Sequence, residues 1–356
     1  MSQHFPPPVS HPPPPVFDPA HQGQPPSASD TRLASAARAS SHSVEPVAPR
    51  TASRVWVNVL LFVVTVVSVL FAGSLDVDGA RKLSWFARLL QGWTFAVPLM
   101  VILLAHELGH YIAARVHRVE ASLPYFIPMP ISPFGTMGAI ISMKGRIRSR
   151  SALLDIGAAG PLAGMVFAVP ILIWGLLHSE VRPLSGQGLM EGQCLLYLVI
   201  KRIVIGPIPD GSDVMLHPTA FAGWVGLLIT MINLVPVGQL DGGHVAYALI
   251  GPRQDGVAKL VHYGLLGVFA INFGYHFVQN LGAEQMATAV GLALEMSSFW
   301  LVWFVFLFVL SRFSGPKHPP TEPGPLSRKR MVVAVCTLLL FVLLFMPTPL
   351  HQYQLP

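Results

Sequence analysis

Charge is scarce in this sequence. Asp, Glu, Lys and Arg make up only 11% of the 356 residues, against about 25% in an ordinary soluble domain, while 52% are hydrophobic. A chain this apolar over this length cannot hide its hydrophobic residues in one water-soluble core. That excludes a soluble fold with a single anchor and points to a polytopic membrane protein. Cysteine is nearly absent: Cys194 and Cys336 fall in different segments, so neither a disulfide nor a Cys-type metal site is expected. No repeat of solenoid period is visible. The formal charge of +6 reads as the basic excess that keeps loops on one side of a membrane, not as a nucleic-acid surface.

Residues 1–54 are rich in Pro, Ser and Ala (FPPPVSHPPPPVF, SASDTRLASAARASS). They hold too few large apolar side chains to offset ordering entropy, so a disordered tail is expected. No basic stretch precedes a short apolar run, so it does not read as a secretory signal. A second reading takes the Arg/Ser/Ala-rich stretch 31–54 as an organelle transit peptide. Apolar segments of spanning length, about 20 residues, follow at 55–73, 93–115, 152–177, 219–250, 257–279, 286–311 and 331–347. With the tail on the cytoplasmic side, only Arg81, Lys82, Arg88, Arg182, Lys201 and Arg202 fall in outside loops. The other Lys and Arg residues lie on the tail's side, which supports that orientation. The expected architecture is all-α and polytopic, with six to seven transmembrane helices and a short β-hairpin or edge strand near the active site.

The most informative residues are His106-Glu107-Leu108-Gly109-His110, which follow the uncharged run Trp93–Ala105. On a helix, positions i and i+4 stand one above the other, so both imidazoles can reach one Zn²⁺. The Glu between them is placed to take a proton from a water on that metal. Ionisable groups in an apolar span are costly and mark functional sites. A catalytic zinc needs a third protein ligand and one open position. The fourth span is interrupted at Asn233-Leu-Val-Pro-Val-Gly-Gln-Leu-Asp241-Gly-Gly-His244, and broken helices are tolerated where they line a polar cavity. Asp241 is the only carboxylate there, which makes it the candidate third ligand; capping the second half-helix is its structural alternative. The charge map carries the HELGH end and this break to the same depth. Asn233 is expected either to contact substrate or to satisfy backbone freed by Pro236. His244 is expected to do supporting work, and His178, His217, His262 and His276 to sit at segment ends.

With HELGH in an apolar helix, GAAGPLAG at 157–164 and NLVPVGQLDGG at 233–243, the chain resembles the site-2 protease family of intramembrane zinc metalloproteases. Pro124-Tyr125-Phe126-Ile127-Pro128 and Phe134-Gly135-Thr136 look most like its plant-chloroplast and bacterial branch. The resemblance covers about 93–251. It implies His106, His110 and Asp241 as ligands of one catalytic Zn²⁺, Glu107 as general base and Asn233 as a substrate-side polar group. It also implies single-span membrane proteins as substrates, cleaved in or near their transmembrane segments, with the bilayer as solvent. The organisation expected is a tail (1–54), a first span with its outer loop (55–92), a catalytic membrane core (93–251) and accessory helices (252–356). A PDZ module, present in some members, needs more room than the loop 178–218 offers. The preferred location is a bacterial inner membrane with tail and active site toward the cytoplasm; a chloroplast or other organellar membrane is the alternative.

GAAGPLAG itself reads as packing, since small residues let helix backbones approach closely. The connection 122–147 is too proline-rich for a helix, and its run from Gly138 to Lys144 suits a short strand or hairpin. Peptide bonds of a helix are shielded by their own hydrogen bonds, so cleavage requires unwinding. An edge strand beside the metal would hold the unwound segment extended, and Gly135, Thr136, Met137 and Gly138 are the candidate substrate-binding residues with Asn233. A covering loop is the simpler reading of the same stretch. Two rivals remain. A zincin acting on soluble or lipidated tails, like the prenyl-protein proteases, would take a downstream Glu as third ligand, for which Glu284 and Glu295 are available. A divalent-metal transporter or inactive scaffold would also place His and Asp in the membrane, but repeated halves are not evident and Glu107 is intact. Oligomeric state is not encoded legibly.

Overall fold

The computed structural model describes residues 55–75, 84–144, 147, 149–184, 186–282, 286–314, 321–322 and 324–354. The tail 1–54 and Glu284 lie outside them. The architecture is the expected all-α polytopic one. Helix α1 (Val55–Gly73) is followed by a short α2 (Trp85–Gln91), then by α3 (Trp93–Val116) and α4 (Arg150–Leu177). After these come α5 (Leu195–Val204), α6 (Pro218–Asn233), α7 (Asp241–Ile250), α8 (Gln254–Gln279), α9 (Met286–Ser314) and α10 (Arg328–Leu344). Among the described residues, five stretches are long and apolar enough to cross a membrane: α1, α3, α4, the near-continuous Asp241–Gln279, and Met286–Arg312. The expected loop between the fourth and fifth spans is only a 3₁₀ turn, Gly251–Arg253, entered through Gly251 at φ 63°. Gly supplies that left-handed residue without the penalty a Cβ would carry.

The core sits where α3, α4 and α6 meet. Leu99 and Ile102 of α3, Leu172 of α4, and Trp224, Leu227 and Leu228 of α6 are buried there. Lipid is as apolar as these side chains, so close backbone approach must hold the helices together. Small residues provide it. A Cβ on Gly109 would fall 2.5 Å from the Ala159 carbonyl oxygen, and one on Gly223 would fall 2.7 Å from Leu172 Cα. The expectation that GAAGPLAG packs the third span against the HELGH helix is what the structure has.

The connection between α3 and α4 is a pair of two-stranded ribbons. Strand β1 (Glu120–Ala121) pairs antiparallel with β4 (Met143–Lys144), and β2 (Tyr125–Pro128) pairs with β3 (Thr136–Ile140). The second ribbon lies along α1. Asn58 Nδ2 donates to the Leu123 and Pro124 carbonyls at 2.9 and 3.0 Å, and Ser68 Oγ donates to the Gly135 carbonyl at 2.6 Å. Ten residues of helix separate these anchors, about 15 Å of rise, so the ribbon runs along a good part of an apolar span instead of staying in a surface loop. Irregular backbone at that depth needs protein partners, and Asn58 and Ser68 are those partners.

At the other end of α4, β5 (Glu180–Pro183) pairs with β7 (Ser212–Met215), and β6 (Gln187–Glu191) pairs with β8 (Leu350–Gln354). The strand after α10 thus joins the segment that links α4 to α6.

Candidate metal centre

His106, Glu107 and His110 all lie in α3 and are buried. The helix runs unbroken through Gly109, so the i, i+4 geometry is realised, with ring centroids 4.9 Å apart. Asp241 arrives on a segment that runs beside α3 in the same sense, with Thr219 bonded to the Thr94 carbonyl and Asn233 near His106. Helix α6 ends at Asn233, the helix is broken through 234–240, and α7 begins at Asp241. The two glycines of Asp-Gly-Gly make this compact break possible: a Cβ on Gly242 would collide with the Leu234 backbone, and one on Gly243 with the Gly238 carbonyl.

The three side chains converge. Asp241 Oδ2 is 3.2 Å from His106 Nε2 and 3.2 Å from His110 Nε2, and the two Nε2 atoms are 3.2 Å apart. Asp241 makes no side-chain hydrogen bond to cap α7; Leu240 occupies the N-cap position. The carboxylate that could have been a cap therefore points to the histidines instead. His110 Nδ1 lies 2.7 Å from the Ile156 carbonyl. A carbonyl only accepts, so Nδ1 carries the proton and Nε2 presents a lone pair. Two acceptors, His110 Nε2 and Asp241 Oδ2, thus face each other at 3.2 Å, an approach that needs a cation or an added proton between them. Two imidazole nitrogens and one carboxylate oxygen, all within 4.8 Å of one another, form a donor set suited to zinc. Gly160 completes the cradle, since a Cβ there would overlap the His110 ring.

Glu107 joins these groups on a cavity of about 150 Å³, with Asn233, His244 and Gly157 also on its wall. Asn233 Nδ2 stands 3.5 Å from His106 Nε2, at the limit of a hydrogen bond. The Ile232 carbonyl, which Pro236 cannot serve for want of an N–H, accepts from Val235 N–H at 3.2 Å. His244, one turn along α7 from Asp241, lines the cavity as a supporting residue would.

The candidate substrate residues divide. Gly135, Thr136, Met137 and Gly138 do not line the cavity, whereas Ala139, Ile140, Ile141 and Met143 do. Gly135 at φ 73° lies against the backbone of Ser68 and Val69. Thr136 is buried, donates to the Ile127 carbonyl at 2.9 Å and accepts from Gly138 N–H at 3.0 Å. These residues shape the ribbon, and the stretch just after them reaches the site. Among the described residues, strand β3 pairs on one side only, with β2.

Glu295 of α9 is exposed and is not in the three-residue group, and Asp241 takes the place a downstream Glu would fill. Among the other histidines, His178 and His217 sit at the far end of α4 and the start of α6. Burial and the neighbouring His178 hold His217 below the ordinary imidazole pKa. His262 is not at a segment end; it lies within α8 and its Nε2 bonds to the Phe304 carbonyl of α9 at 3.0 Å. Both cysteines are free, and Cys194 Sγ caps α5 by accepting from Tyr197 N–H.

Sequence reasoning passed over Asn58 and Ser68. With Thr65 they are the three polar residues of an otherwise apolar span, and that was the available signal.

A model of peptidase family M50 matches residues 94–271, 178 of the 356 residues and so half of the chain. The chain is 29% identical over 261 residues to the probable zinc metalloprotease EGY2, chloroplastic, of Oryza sativa subsp. indica, covering 71% of this chain and 42% of that protein. It is 36% identical over 179 residues to the probable zinc metalloprotease EGY1, chloroplastic, of Arabidopsis thaliana, covering 49% and 32%. The chain thus spans less than half the length of these curated relatives. The matched region contains the HELGH helix, the small-residue helix α4, the broken α6–α7 pair and part of α8, and with them every residue of the converging group. On sequence and geometry together, the chain belongs to peptidase family M50, the site-2 protease family.

Proposed function

We propose that this protein is a zinc endopeptidase of the membrane, cleaving peptide bonds in or near the transmembrane segments of single-span membrane proteins. One observation carries the reading: the ligand atoms of His106, His110 and Asp241 meet within 4.8 Å inside apolar helices, with Glu107 beside them on the same cavity. Zinc bound there would lower the pKa of a coordinated water and polarise the scissile carbonyl. Glu107 takes the water's proton and returns it to the leaving amine. The Ile156 carbonyl keeps the His110 ring oriented with its lone pair inward. Asn233 offers an amide at the rim to the substrate carbonyl. The unpaired edge of β3, whose Ala139 and Ile140 line the cavity with Ile141 and Met143, holds an unwound substrate segment extended by main-chain pairing, which supplies affinity with little demand on sequence.

The catalytic core is 93–251, with 252–356 as accessory helices. The preferred setting remains a bacterial inner membrane with the site toward the cytoplasm. An organellar membrane is the second reading, favoured by the likeness to relatives named chloroplastic. The test is co-expression with candidate single-span proteins, wild type against Glu107→Gln. Fragments that form only with wild type are expected; identical fragment patterns from the two would refute the reading.

A further inference from the structure

At the HELGH end of the bundle a second polar cluster joins three helices, and the mechanism above does not use it. Asp155, in the first turns of α4, accepts from Arg330 of α10 through Nε at 3.0 Å to both carboxylate oxygens and through Nη2 at 2.7 Å to Oδ2. His117, the C-cap residue of α3, places Nε2 2.8 Å from the same Oδ2. The next residue along α4 is Ile156, whose carbonyl receives the His110 Nδ1 proton at 2.7 Å, and the next is Gly157, on the cavity wall. One turn later Pro161 lacks the N–H that would serve the Gly157 carbonyl and crowds it. The turn 155–157 is therefore not secured by the helix's own ladder alone. Arg330 stands outside the matched stretch 94–271, in a helix that otherwise has no part in the site.

We infer that Asp155 is a positioning residue for the metal centre, held by Arg330 and His117 so that the Ile156 carbonyl meets His110 Nδ1. The inference rests on His110 being a zinc ligand. Partners behind a ligating histidine fix its tautomer and ring direction, and losing them typically lowers metal affinity 10–100-fold. Asp155 acts one residue further back, so the lower end applies. Arg330 makes α10 part of the same device: a guanidinium fork on both oxygens fixes the carboxylate's direction as well as its charge.

The test uses the full chain in detergent micelles loaded with Co²⁺, whose visible absorption reports ligand geometry, and titrated with a chelator. Asp155→Ala and Arg330→Ala should each release Co²⁺ at about tenfold lower chelator concentration and shift the visible bands. Arg330→Lys, which keeps the charge but not the fork, should fall between them and wild type. Arg330 is partly exposed, at 37%, so its variants test the idea even if Asp155→Ala fails to fold. Unchanged chelator midpoints and spectra, with or without lower thermal stability of the metal-free protein, would make the cluster a structural tie only and overturn the inference. If wild type itself gave no cobalt spectrum, the metal-site reading would fail and this inference with it. Normal wild-type binding with indifferent variants overturns the inference alone.

Discussion

Two buried clusters of ionisable groups lie at opposite ends of α4, and they solve the cost of burial differently. At the far end Lys201 of α5 donates to Glu191 at 3.3 Å and to Asp213 at 2.8 Å. Tyr197 OH donates to Glu191 at 2.8 Å, and the Lys201 ammonium sits 5.5 Å from the Tyr197 ring centroid. Burial, followed by the adjacent Glu191 carboxylate, pushes the Tyr197 phenol well above its ordinary pKa, so it stays a donor. Here donors and acceptors match, and the cluster ties β6, α5 and β7 together. At the HELGH end, His110 Nε2 and Asp241 Oδ2 are acceptors facing one another. A buried cluster that is complete in itself is a lock, and one that needs an added positive charge is a site.

The sharpest break of that comparison is Glu107→Gln. Loss of the general base should cut turnover by about 10²–10⁴-fold while metal content by elemental analysis stays at the wild-type level; retained turnover would remove Glu107 from its role. Next in size is Lys201→Met, which leaves two carboxylates buried without their cation and should cost about 3–5 kcal/mol of stability. Thermal unfolding in detergent reads the loss, and the metal content of the folded fraction should not move. Asp241→Ala should do the opposite. It should lower zinc content at least tenfold, yet leave the metal-free protein as stable as before or more so, because two facing acceptors are relieved. A clear fall in metal-free stability would mean that the Asp241 cluster is a lock after all. The smallest effect is expected from Asn58→Leu, which strips the Leu123 and Pro124 carbonyls of their donors at about 1–3 kcal/mol. Substrate cleavage should fall more than metal binding, since the β2–β3 ribbon and not the ligand set loses its support.

Much of this was legible because membrane sequences write their exceptions plainly. In the span Trp93–Val116, His106, Glu107 and His110 stand out after a long uncharged run, and the helix period says which of them share a face. The break at Pro236 and the glycines around Asp241 were equally visible, since only close backbone approach requires them. The ribbon along α1 was less so. Its strands are short, and what sets their depth is a pair of hydrogen bonds from Asn58 and one from Ser68, residues more than sixty positions away.

By itself the sequence determined the membrane class, the helices and the types of group at the site, because these follow from local composition and periodicity. Only the tertiary structure decided which carboxylate joins the two histidines, that Ala139, Ile140, Ile141 and Met143 rather than 135–138 reach the cavity, and that Asp155 and Arg330 stand behind His110. Each of these depends on how segments distant in the chain meet, and that is set by the small-residue contacts between helices and by hydrogen bonds across them, not by any periodicity along one segment.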